Sequence, residues 1–187
     1  MLRQKTGNNK GAAAVEFALV ASLFFLFIFG IIDFGRYFFT QHSLQYGTRE
    51  GMRLALVAGV LNDEYGNPLS REESIKKAIK ENVSMAIDPE STDFHIYIFP
   101  VDEDYSDPDP PATKPGDWPA SWSWPPTNEH WMDYLELHPD AGIAKDYMRV
   151  RTRYSYNFLT PLIGAFFPEG KDRIETQGTY RNEEFDS

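Results

Sequence analysis

The chain has no cysteine, which excludes a disulfide framework, a thiol nucleophile and a thiolate metal site. Positive charge is scarce: 18 Lys and Arg stand against 28 Asp and Glu, a net charge of −10. Nucleic acid and anionic lipid surfaces are therefore poor partners for the exposed part of the molecule. His42, His95, His130 and His138 form no HExxH pair, and neither a phosphate loop nor a nucleophile elbow is present. Nothing in the sequence calls for a cofactor or points to an enzyme. Charge is nearly missing from one further place, residues 12–32, where Glu16 is the only ionisable side chain.

That run organises the chain. At about 1.5 Å per residue a helix over residues 12–32 spans about 31 Å, the thickness of a bilayer's hydrocarbon core. Arg3, Lys5 and Lys10 precede it without an acid among them, so the positive-inside rule predicts a cytoplasmic N-terminus and an extracytoplasmic remainder. A cleavable secretory signal would place its small residues after a shorter apolar core, whereas here they come first. Glu16 is the anomaly, because a carboxylate inside a membrane helix is costly and is usually kept for a function. If the chain were cut between Gly11 and Ala12, Glu16 would lie one helical turn from a new α-amine that could neutralise it. The alternative is that Glu16 snorkels to the cytoplasmic surface and Gly11 is linker.

A basic leader ending in Gly11, then Ala12-Ala-Ala-Val-Glu16-Phe17, and a run closing Gly30-Ile-Ile-Asp33-Phe34-Gly35-Arg36 resemble the TadE-like family of minor pilins, or pseudopilins, of the tight-adherence (Flp, type IVc) pilus system. Arg49-Glu50-Gly51-Met52-Arg53 and Tyr156-Asn-Phe-Leu-Thr-Pro161-Leu are similar to further stretches of that family. The resemblance covers residues 7–60 well and 148–185 loosely, and leaves the middle uncovered. It implies processing by a prepilin peptidase between Gly11 and Ala12, with Glu16 and Phe17 acting in assembly. It also implies the partners: the major Flp-type pilin, other minor pilins and the inner-membrane assembly platform, with pilus assembly, adhesion and surface colonisation as the function. The expected organisation is a leader at residues 1–11, a transmembrane helix at 12–32 in the bacterial inner membrane, and one extracytoplasmic pilin-like domain at 33–187.

The fold expected for that domain is α+β. Residues 33–58 lack proline and carry Phe34, Phe38, Gln41, Leu44, Thr48, Met52 and Ala55 at spacings of three and four, the stripe of an amphipathic helix, so the membrane helix should continue outward. Gly47, Gly51, Ala55 and Gly59 form a stripe of small residues, read as packing of the domain on its own helix. Ser70-Arg-Glu-Glu73 is a capping box opening a second helix that ends before Asp88-Pro89. Strands are expected at residues 94–101, 148–158 and 173–181, giving a three- or four-stranded antiparallel sheet. Both faces of the first strand are apolar, so it should be central or covered twice. In the second, Val150, Thr152, Tyr154, Tyr156 and Phe158 should face inward, and Arg149, Arg151 and Arg153 should face solvent. Acids of the third strand could pair with that arginine row. Residues 159–167 read as a loop or short helix that caps the core.

Residues 102–146 differ in kind. They hold most of the prolines, all four tryptophans, and only Lys114 and Lys145 as bases. The proline density argues against helix and sheet, so an ordered Pro/Trp-rich insertion between two strands is expected. Trp118, Trp122, Trp124 and Trp131 either anchor it internally or form a surface for carbohydrate or peptide, which would make the protein a membrane-anchored binding module. Asp102-Glu-Asp104, Asp107 and Asp109 lack the glycine and glutamate of a calcium loop and read as a solvated acidic run. Asp133 and Glu136 fit a surface helical turn.

Overall fold

The computed structural model describes residues 10–142 and 146–182. Most of the leader, including Arg3 and Lys5, and Lys145 of the insertion lie outside the described residues. Two compact units emerge. The first holds α1 (Lys10–Leu56) as far as Phe38 together with Asn157–Lys171; the second holds Phe39–Tyr156 and the chain from Asp172 onward.

In the first unit, the apolar run of α1 carries no buried residue, which separates this helix from the core helix of a soluble protein. Among the described residues it is the one helix long and apolar enough to cross a membrane. Asn157–Lys171 packs against the helix just past its apolar run, at Asp33 and Tyr37. Pro161 opens a single turn, α4 (Pro161–Gly164), where its missing N–H costs nothing. A 3-10 turn, Pro168–Gly170, follows. Phe158 stacks on Tyr37 at 6.0 Å and on Phe167 at 4.4 Å.

The second unit begins where α1 becomes amphipathic. Leu44, Thr48 and Ala55 of the predicted stripe are fully buried, whereas its first members Phe34 and Phe38 are 47% and 53% exposed, because they precede the part of α1 that packs in this unit. The helix ends in a Schellman motif: Ala58 N–H donates to Ala55 O and Gly59 N–H to Leu54 O. Ala58 takes φ 47°, a conformation that glycine adopts without cost.

α2 (Arg71–Val83) starts at the capping box foreseen: the Ser70 hydroxyl accepts from Glu73 N–H, and the Glu73 carboxylate accepts from Ser70 N–H. Its buried residues Ile75, Ile79 and Val83 meet α1 at the small-residue stripe. Side chains at Gly47 and Gly51 would collide with Val83 and Ile79, so those two glycines serve intramolecular packing. Arg71 then ties the layers together, donating to Ala55 O at 2.8 Å and to Asn182 Oδ1 at 2.7 Å.

The sheet has the order β1-β2-β3, with β1 (Phe94–Val101), β2 (Tyr147–Asn157) and β3 (Lys171–Arg181). β1 and β2 are antiparallel, with Phe94 opposite Tyr154 and Val101 opposite Tyr147. Arg149 bonds Thr179, Arg151 bonds Gln177 and Arg153 bonds Glu175, and this descending order makes β2 and β3 antiparallel as well. One face of the sheet meets α1, where the hydroxyls of Thr48 and Thr152 hydrogen bond at 2.7 Å. The opposite face is covered by α3 (Asn128–Leu137), whose Met132 and Leu135 pack with Tyr97, Phe99 and Val101. β1 is therefore an edge strand covered twice rather than a central one.

Two expectations need correction. The segment between β1 and β2 is not free of helix: α3 forms in its longest proline-free stretch, after Pro125-Pro126 and before Pro139, with the Thr127 hydroxyl accepting from His130 N–H. Composition averaged over the whole segment hid it. The arginine row does not face solvent either. Arg149 and Arg151 are 7% and 8% exposed, because α3 and the Asp107 loop roof that face of β2.

Candidate functional site

Gly11 and Ala12 lie exposed in the first turn of α1, one residue past its start at Lys10. A helix's first turn has unpaired N–H groups and frays readily, and glycine weakens it further. Glu16 sits one turn beyond Ala12, exposed on the helix surface. Among the described residues no hydrogen bond or ion pair engages its carboxylate. Phe17 beside it is 74% exposed. The four residues thus share one short, unpartnered stretch of helix.

The C-terminal end of the same apolar run is followed by a carboxylate to which the sequence alone assigns no role. Asp33 is 1% exposed, and its two oxygens accept from Leu159 N–H at 2.9 Å and Thr160 N–H at 2.7 Å. It caps the free N–H groups ahead of α4, so a charge at the end of an apolar run does structural rather than catalytic service.

The tryptophans converge. Trp118 is buried, with Trp122, Trp124, Trp131 and Tyr134 around it at ring separations of 5.0 to 6.4 Å. Trp122 lies flat on His130 at 4.9 Å, and Tyr134 stacks on His138 at 4.2 Å. Trp131 Nε1 donates to Pro108 O, and the Tyr134 hydroxyl donates to Asp117. That hydrogen bond holds the Asp117 carboxyl below the usual range, helped by His138. The cluster pins the long connection to α3, as a loop of this length requires for order.

The acidic run has a specific employment. Asp107 accepts from both Arg149 and Arg151, the latter at 2.8 and 2.9 Å, while Asp104 caps the Ser106 N–H. Arg151 also reaches Gln177 and Glu175, and its guanidinium lies over the Phe99 ring. Among the described residues no three His, Asp or Glu side chains converge as a metal ion would need. Beside this network lies a groove of about 480 Å³, walled by Trp131, Pro108, Glu129, Arg153 and Arg173.

His95 and Glu136 are a second pair that sequence reasoning missed, 41 positions apart and 2.8 Å in space. The Glu136 hydrogen bond raises the His95 pKa against the opposing effect of burial, with Asp133 adding to it and Arg153 resisting. Burial lowers Lys76, which donates to Glu136 O, and pushes Tyr97 up to about 12. A folded pKa above the unfolded value of about 6.5 gives stability that is complete below that pH and fades as pH rises through the folded value. Wild type should therefore lose its advantage over His95→Gln on going from pH 6 to pH 8, by at most about 1 kcal/mol for a pair this exposed. Paired urea melts at the two pH values check the sign; an advantage that grows with pH would contradict it.

A lipid-length apolar helix, followed in the chain by a globular region with a second helix and a three-stranded antiparallel sheet, defines the class: a protein of single membrane-spanning topology. Residues 11–53 match the family described as TadE-like protein, so the chain carries a TadE-like domain. The match ends inside α1 and leaves α2 and the sheet uncovered. Proteins of that family are structural rather than catalytic. No match to the chain was found among curated proteins or among solved structures.

Proposed function

We propose that the protein is a minor pilin or pseudopilin of a tight-adherence (type IVc) pilus, made with residues 1–11 as a leader and cut before Ala12 by a prepilin peptidase. Residues 12–32 hold it in the inner membrane, N-terminus inside, until the assembly platform loads it beside the major Flp-type pilin and other minor pilins. The observation that carries this reading is the TadE-like match over a helix whose apolar run has no buried residue and whose Glu16 has no partner among the described residues. Such a helix needs lipid or like helices around it. A carboxylate in that setting needs a cation, and a newly cut Ala12 amine, on this chain or a neighbour, would provide one. Glu16 and Phe17 would then set the register of docking.

The competing reading is an anchored envelope module that binds carbohydrate or peptide through its tryptophans. Internal stacking uses most of that aromatic surface, and the groove beside Trp131 is the part left to support it.

Glu16→Gln separates the two, since it keeps size and removes charge. In the pilin, insertion into the membrane should survive while crosslinking to neighbouring pilin subunits and the number of pili both fall. Undiminished crosslinking and piliation at normal expression would remove the role assigned to Glu16.

A further inference from the structure

The turn at residues 159–167 has no place in the assembly reading, yet its surface is unusual. From Asn157 to Pro168 there is no ionisable residue. Leu159, Leu162 and Phe166 are 64%, 52% and 82% exposed. Exposed apolar side chains are ordinary singly, but three on one short turn make a patch that water disfavours.

Its position says what covers it. The Asp33 carboxylate grips the turn at Leu159 and Thr160, immediately after the last residue of the apolar run. Ile163 reaches one turn further in: a side-chain carbon placed on Gly30 would lie 3.8 Å from Ile163 Cδ1. Gly30 belongs to the run itself. The helix surface at the same height is also apolar and open, with Phe29, Ile31 and Phe34 all about half exposed or more. The patch on the turn is therefore continuous with the lipid-facing surface of α1, inside one compact unit. Aromatic and aliphatic groups at that depth sit at the boundary between head groups and acyl chains. Pro161 and Pro168 at the flanks, and Glu169 and Lys171 beyond, suit a segment that enters the boundary and returns to water.

We propose that the 159–167 turn is a second membrane contact, seated in the outer-leaflet interface by Asp33 and presenting Leu162 and Phe166 to lipid. This rests on the reading of residues 12–32 as a membrane span. A two-point contact would fix how far α1 is drawn into the bilayer, where a lone helix is free to slide and tilt.

The absence of cysteine makes the test direct. Phe166→Cys, Leu162→Cys and Phe25→Cys, each in the full chain, take one environment-sensitive fluorophore apiece. The proteins are reconstituted in phosphatidylethanolamine and phosphatidylglycerol vesicles containing lipids with a nitroxide near the head group or deep in the chain. The label at position 25 should be quenched by the deep nitroxide, which checks the span by itself. Labels at 162 and 166 should be quenched several-fold more by the shallow nitroxide than by the deep one. Adding Asp33→Ala should weaken that quenching while leaving position 25 unchanged. If position 25 is quenched but 162 and 166 are not, and iodide in the water reaches both, the turn faces solvent and the proposal is wrong. Shielding from iodide without lipid quenching would mean that protein, such as a second copy, covers the turn, and would overturn it equally. Failure at position 25 would instead remove the span reading on which it rests.

Discussion

Arg151→Ala is expected to lower the unfolding free energy by about 2 to 3 kcal/mol, although a surface arginine would cost within about 0.5 kcal/mol. The side chain is at the centre of a covered face. Its guanidinium is shared among Asp107, Gln177 and Glu175, contacts Met132 Sδ and lies over Phe99. Removing it strips a partner from two carboxylates and leaves a hollow under α3. The cost stays below that of a fully buried pair because Asp107 and Glu175 keep 42% and 34% of their side-chain exposure and retain Arg149 and Arg153. Arg153→Ala, at a half-buried position, should cost about 1 kcal/mol or less. Urea melts of the full chain in micelles, followed by tryptophan fluorescence, suit the comparison, since all four tryptophans lie in the α3 cluster. Equal small costs at both positions would mean that face of β2 is open to water.

A larger loss, about 3 kcal/mol or more, is expected from Gly51→Leu, which overfills the contact between α1 and α2. Even a bare Cβ at Gly51 would stand 2.5 and 2.8 Å from the Ile79 side chain and 3.4 Å from Ile75 O. Gly47 is as crowded, with Val83 Cγ1 at 2.6 Å and the Ile79 carbonyl at 3.1 Å. Ile79 is fully buried and has nowhere to turn, so the helices must separate, and Thr48 would then lose its bond to Thr152. Combining Gly51→Leu with Ile79→Ala should recover part of the loss, because the side chain that collides is gone. A Gly51→Leu protein as stable as wild type would show that the two helices do not pack through this stripe. The same melts measure it.

What the sequence made legible is local. A capping box, a run of eight residues with strand character from Phe94 to Val101, and the spacing of Leu44, Thr48 and Ala55 each carry their signal within a few positions. The cross-strand match of arginines with Glu175 was also readable, because antiparallel pairing of adjacent strands needs no distant information. What escaped was set by distance along the chain. Asp33 meets Leu159 across 126 positions, and Asp107 meets Arg151 across 44. Alternation identified the arginine face correctly as one face, but only the roof formed by α3 decides whether that face is wet. α3 itself was masked by prolines on either side of ten helical residues. The tryptophans were read as anchors or as a surface, and their stacking on one another and on α3 favours the anchor.

The central claim concerns the other end of the chain, where Gly11, Ala12 and Glu16 stand together, exposed, in the first two turns of α1. Intact mass and N-terminal sequencing of the protein taken from its native membrane test it most directly. The pilin account predicts a chain that begins at Ala12, and retention of the full-length form when Gly11 is replaced by a bulky residue. Met1 retained on the wild-type protein, in cells whose prepilin peptidase is active, would contradict it.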